Sequence, residues 1–110
     1  MQISQQSALD RLTGSNRLFL ELFSHGTLSL EVYKPIGVDH QQPHDRDEVY
    51  VVMSGRGEFI NGNTRSNFEA GDFLFVRAGV EHRFVNFTDD FATWVIFYGP
   101  VGGEVAGHTN

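Results

Sequence analysis

Residues His40–Glu48 read HQQPHDRDE and are followed at once by the apolar run VYVVM. This short stretch gathers two imidazoles, glutamine amides and carboxylates. In an extended strand residues two apart share a face, so His40, Gln42, His44 and Glu48 have one parity and would point the same way. Pro43 faces the opposite side and has no N–H to give, which suits a rim segment. A fully extended chain would leave His44 and Glu48 roughly 13 Å apart, so sharing one ion requires a bend or bulge at Asp45-Arg46-Asp47. Farther along, EHRFVN puts His82, Phe84 and Asn86 on one face and Arg83, Val85 and Phe87 on the other. Two imidazoles, one carboxylate and one amide oxygen suit a divalent first-row ion such as Fe, Mn, Ni or Zn and leave positions for water or substrate. On residue chemistry alone a solvated polar loop is an equally open reading of HQQPHDRDE. Asp45, Arg46 and Asp47 read as turn and surface charges, and His25 and His108 as surface or hydrogen-bonded residues.

The elements that must hold these side chains are short and β-rich. RLFLELF meets the turn signal SHG, and TLSLEVY then alternates, with Leu28, Leu30 and Val32 on one face and Ser29, Glu31 and Tyr33 on the other. EVYVVM closes at SGRG, and EFI ends at the tight-turn signal NGN. DFLFVRAG, EHRFVNF and TWVIFYGP follow, jointed by glycine, proline or Asp89-Asp90. Seven or eight such runs predict a sandwich or small barrel, with Gly55 and Gly79 at chain reversals that favour positive φ. MQISQQSALDRLTG reads as a short helix or a frayed arm, and VGGEVAGHTN as a polar, glycine-rich tail. Residues 1–16 and 101–110 are therefore expected to be loose arms.

The totals exclude several function classes. A chain of 110 residues with 40% hydrophobic content and ten phenylalanines has material for one modest core. A formal charge of −6, with no basic stripe, speaks against nucleic acid or an anionic membrane surface as partner. Neither a membrane-spanning run nor a secretory signal is visible, which sets a cytoplasmic expectation. With no cysteine, any metal must be held by nitrogen and oxygen.

The spacings resemble those of a small single-domain cupin, whose double-stranded β-helix barrel carries two short motifs. QPHDRDEVYVVMSG supplies Gln42, His44, Glu48 and Gly55 in the manner of the first motif, about residues 37–55. GDFLFVRAGVEHRFVN supplies Gly71, Gly79, His82 and Asn86 of the second, about residues 71–86. Arg77 stands where the motif has proline, Gly37 comes one residue late as the leading glycine, and Gln42 stands where the first histidine normally sits. In cupin-type sugar isomerases a glutamine at that place is a ligand. The resemblance implies an all-β jelly-roll-like barrel over residues 1–110, with at most a short N-terminal helix. It further implies one divalent metal held by His44, Glu48 and His82, with Gln42 as fourth ligand and His40 as the alternative to it. The function implied is action on a small oxygenated metabolite, as isomerase, dioxygenase or lyase, the ion polarising a carbonyl or enolate oxygen or, if iron, binding dioxygen. A non-catalytic metabolite-binding or sensing module is the alternative. Tyr50 shares the parity of Glu48 and is the phenol placed as proton donor. Phe75, Phe84 and Trp94 join it as candidates for the pocket wall, with plain core packing as their other reading. A homodimer is expected, joined through the early LFLELF or the late TWVIFY strand.

Overall fold

The alternation in TLSLEVY is used on both faces of the strand it forms. In the computed structural model, which describes residues 1–105, a larger antiparallel sheet holds β1 (Phe19–His25), β2 (Leu28–Tyr33), β8 (Ala92–Tyr98), β3 (Asp47–Ser54) and β6 (Phe73–Val76), side by side in that order. A smaller sheet holds β5 (Thr64–Glu69), β4 (Arg56–Asn61) and β7 (His82–Val85). The arrangement is the expected all-β barrel with one short helix, α1 (Gln5–Ser15). Two-residue turns at Gly26-Thr27 and Gly62-Asn63 close the hairpins β1–β2 and β4–β5, each with its glycine in the left-handed region. Gly55 has φ 83°, and a Cβ there would stand 2.6 Å from the Phe91 Cα, so the reversal between the sheets requires glycine twice over.

Tyr50, Val52, Phe59, Phe68, Val76, Phe84, Phe91 and Val95 fill the space between the sheets. Phe84 packs on Phe59, Phe68 and Phe91 with ring centroids 4.7, 5.2 and 4.6 Å away. The second cluster lies on the outer face of the larger sheet, where Ala8 and Leu12 of α1 meet Val32, Met53 and Ala92. The apolar face of β2 thus points away from the barrel, and its polar face supplies Glu31 and Tyr33 to a cavity inside. A helix supplies the missing apolar cover.

Two expectations are corrected by this packing. Residues 5–15 are not a loose arm: Ser4 caps α1 by accepting from the Ser7 N–H, Asn16 ends it at φ 58°, and Ala8 and Leu12 are buried. TWVIFY cannot be an edge strand, because β8 pairs with β2 on one side and β3 on the other. At the other end of the chain, Gly102 N donates to Asp45 O and Glu104 N to the Asp47 carboxylate. The remainder of the expected tail, residues 106–110 with His108, lies outside the described residues.

Candidate metal centre

β3 enters the barrel at Asp47, and its first inward side chain is Glu48, 1% exposed. The expected bend is present at Asp45-Arg46 and carries His44 back over Glu48. Its stiffness comes from distant backbone. Gly79 N donates to His44 O at 2.6 Å, while the Asp47 carboxylate accepts from Glu104 N at 2.8 Å and Ala78 N at 2.9 Å. Those two backbone donors hold the Asp47 carboxyl below the ordinary carboxylate range. Asp47 is buried, so the reading of it as a surface charge is corrected.

The opposite sheet delivers His82, buried at the start of β7, with Phe84 inward and Arg83 outward as the alternation predicts. Its Nδ1 lies 2.9 Å from Val80 O. A carbonyl only accepts, so Nδ1 carries the proton and Nε2 presents a lone pair to the interior. Donor atoms of His44, Glu48 and His82 all lie within 4.8 Å of one another.

The chemistry of this donor set suits a cation. His82 Nε2 stands 3.1 Å from Glu48 Oε1 and His44 Nε2 stands 3.9 Å from Oε2, yet with the imidazoles neutral neither carboxylate oxygen accepts a hydrogen bond among the described residues. A buried carboxylate without a donor costs on the order of 1–3 kcal/mol or more. A proton or a metal ion in the gap satisfies the lone pairs together. Without metal, burial alone would lower the His82 imidazole, but Glu48 and the Val80 carbonyl outweigh it and the pKa rises above 6.5.

Tyr50 sits two residues along the same face of β3. Its Oη donates to Gln41 Oε1 at 2.7 Å and lies 3.1 Å from His82 Nε2. Burial, reinforced by the Glu48 charge, holds this phenol well above its ordinary pKa, so it stays protonated. A cavity of about 590 Å³ opens beside the triad, walled by Phe19, Tyr33, Val95 and Phe97, with Arg17, Glu31, His40 and Gln41 among its polar positions. Burial, with Glu21 and Glu48 nearby, raises the Glu31 carboxyl above the ordinary range. Of the other aromatic candidates, Phe84 belongs to the core, Phe75 is 41% exposed, and Trp94 packs on the α1 side of the sheet. None of these three lines the cavity.

The structure brings His44, Glu48 and His82 together but places Gln42 differently. Gln42 is exposed and lines a separate, smaller cavity with Pro43, Glu81 and Arg83. Its neighbour Gln41 turns inward, with Oε1 3.4 Å from His44 Nε2. Residues 39–44 form no strand, so the two-residue periodicity does not carry across Pro43. Sequence reasoning missed Gln41 and Asp39, whose only signal is a parity shared with each other.

Residues 29–98 match the family model described as a cupin domain. An uncharacterised protein of Streptomyces coelicolor is 39% identical over 62 residues, covering 56% of this chain; the match spans 59% of that relative's length. Among solved structures, a cupin 2 conserved barrel domain protein from Salinispora arenicola is similar with a TM-score of 0.67 and 24% identity, over 90% of this chain and 89% of that one. A cupin-2 domain protein from Shewanella frigidimarina gives a TM-score of 0.64 at 20% identity, covering 83% and 91%. These likenesses bear on the fold alone.

Proposed function

The chain belongs to the cupin family, and from that premise we propose that it binds one divalent first-row metal ion and uses it to hold a small oxygenated metabolite. The observation that carries this reading is Glu48, whose buried oxygens accept no hydrogen bond among the described residues while two imidazole nitrogens converge on them beside an accessible cavity. His44, Glu48 and His82 would hold the ion, and nitrogen–oxygen donors of this kind suit Fe, Mn, Ni or Zn. Bound there, the ion supplies Lewis acidity toward a carbonyl or enolate oxygen, the chemistry common to metal-dependent isomerases and lyases.

The protein's own groups set what else the cavity can do. Tyr50 remains a neutral hydroxyl beside His82, its one proton given to Gln41 Oε1, so it orders the site rather than acting as a base. Phe19, Val95 and Phe97 exclude water from one side of the cavity, and His40 stands at the wall as a second polar contact. A ligand fitting this lining is small, carries oxygens at one end and tolerates apolar contact at the other. The assembly in this reading is a homodimer.

The test is metal analysis of the purified protein together with titration of Zn²⁺ or Co²⁺ into the metal-stripped form. One equivalent should bind to the wild type, and His44→Ala and His82→Ala should each nearly abolish binding. Unchanged binding in both variants would remove the triad from the reading.

A further inference from the structure

The Gln41 side chain is held from both ends. Its Nε2 donates to Asp39 Oδ2 at 2.8 Å, its backbone N–H donates to Asp39 Oδ1 at 3.1 Å, and its Oε1 accepts from Tyr50 Oη at 2.7 Å. Asp39 is itself fixed. It is buried, and its oxygens also accept from Tyr33 Oη at 2.6 Å and from Phe84 N at 2.9 Å. A carboxylate only accepts, so the end of the amide facing Asp39 must be the NH₂ group, and the oxygen is thereby turned to the site. There it lies 3.4 Å from His44 Nε2, a spacing suited to two donors of one ion.

From this geometry we infer that Gln41, rather than Gln42 or His40, supplies the neutral oxygen of the metal centre, and that Asp39 is the positioning residue that selects that oxygen over the amide nitrogen. The inference rests on the metal-binding reading above and deepens it. One lone pair of Oε1 is taken by the Tyr50 hydroxyl, which leaves the other for the ion. The oxygen therefore bridges the metal centre to the phenol. Anchoring through Phe84 N ties the amide, through Asp39, to β7, the strand that delivers His82. A flipped amide would direct N–H groups at a cation and at the Tyr50 hydroxyl proton. Asp39 makes that flip unfavourable by facing the amide oxygen with its own charge.

The test is Co²⁺ titration of the full chain, read by visible absorption, which reports the number and kind of donor atoms independently of any turnover. Gln41→Leu should weaken binding about tenfold and shift the cobalt bands, as losses at supporting positions commonly do. Asp39→Asn should weaken binding as well, because the new NH₂ must stand either against the Gln41 NH₂ and the Phe84 N–H together or against the Gln41 backbone N–H, and each choice breaks one of the two holds on Gln41. Gln42→Leu and His40→Ala should leave the bands in place. In the double variant Asp39→Asn/Gln41→Leu the loss should equal that of Gln41→Leu alone, since Asp39 acts through Gln41; independent, additive losses would reduce Asp39 to a structural role. A second measurement needs no variant at Asp39. In the wild type, Zn²⁺ should move the side-chain amide signals of Gln41 in nitrogen-15 NMR spectra and not those of Gln42, and the Gln41 amide proton held by Asp39 should exchange more slowly than those of Gln42. Movement of Gln42 instead, or a fast-exchanging Gln41 amide, overturns the assignment while the triad stands. A wild type that binds neither Co²⁺ nor Zn²⁺ overturns the metal reading and the assignment together.

Discussion

His82 Nε2 stands 3.1 Å from Glu48 Oε1 in the interior of the barrel, and with the imidazole neutral two acceptors face one gap. What occupies the gap is set by competition between a proton and a metal ion. In the metal-free protein the His82 pKa is raised above 6.5, so the folded state holds that proton more tightly than the unfolded chain does. Its contribution to stability is full below the unfolded pKa and is lost as pH rises through the folded value.

Metal binding must have the opposite slope. The ion displaces the proton from Nε2, so affinity is full above the folded pKa of His82 and falls as pH drops through it. Because that pKa is raised, weakening should set in on the alkaline side of 6.5. Zn²⁺ titrations by calorimetry in buffers across the histidine range should show it, with proton release on binding. Affinity independent of pH over that range would mean that His82 is not displaced from its proton and does not ligate.

Glu48 should be kept at a cost to the fold. Both of its oxygens are buried and accept no hydrogen bond among the described residues, so in chelator, above the histidine range, the carboxylate is an uncompensated charge. Glu48→Met preserves volume and removes that penalty, and should stabilise the metal-free protein by about 1–3 kcal/mol in denaturant unfolding. The same variant should lose metal binding. A destabilised Glu48→Met would show that the carboxylate is satisfied without a metal.

How far the site was legible in the sequence depended on whether a strand carried the residue. His82 and Phe84 lie within β7, where alternation holds, and their inward placement follows from the letters alone. The bend between His44 and Glu48 followed from length, since an extended chain could not bring them to one ion. Gln41 and Asp39 were hidden because residues 39–44 lie outside any strand and no period applies. Asp39 is fixed by Phe84, 45 residues away, a contact that no local pattern announces. Asp47 was misread for the same reason: its partners, Ala78 and Glu104, are 31 and 57 residues distant.

The helix was half legible, and its packing gives a prediction of its own. Ile3, Ala8, Leu9 and Leu12 are too sparse to show whether α1 docks, but Ala8 is 0% and Leu12 4% exposed against Val32 and Ala92. Leu12→Ala should therefore cost about 2–3 kcal/mol, the ordinary range for a buried leucine at the margin of a core. A loose arm would leave the melting temperature unchanged. Chemical denaturation of the variant separates the two outcomes, and metal affinity should stay as in the wild type because α1 lies across the sheet from the triad.

The expected homodimer cannot form through an edge of β8, both of which are paired, and the outer face of the larger sheet offers another surface. The outer face that α1 covers is the β1–β2 side. On the opposite flank, Val49 and Val51 of β3 stand in register with Phe75 and Phe73 of β6, and those phenylalanines are 41% and 66% exposed. Ile96 of β8 pairs with Val49 and extends the strip. The β6 edge is ill suited to strand addition, because Asn61 Nδ2 already donates to Phe75 O at 2.8 Å. The edge at β1 is interrupted by a bulge between Glu21 and Phe23. Association is therefore expected face to face through the phenylalanines, with a second copy covering their apolar surface. Phe73→Ser with Phe75→Ser should convert the dimer to a monomer in sedimentation velocity and leave metal affinity unchanged. A wild type that sediments as a monomer at high concentration, or a double variant that remains dimeric, would rule out this face as the interface.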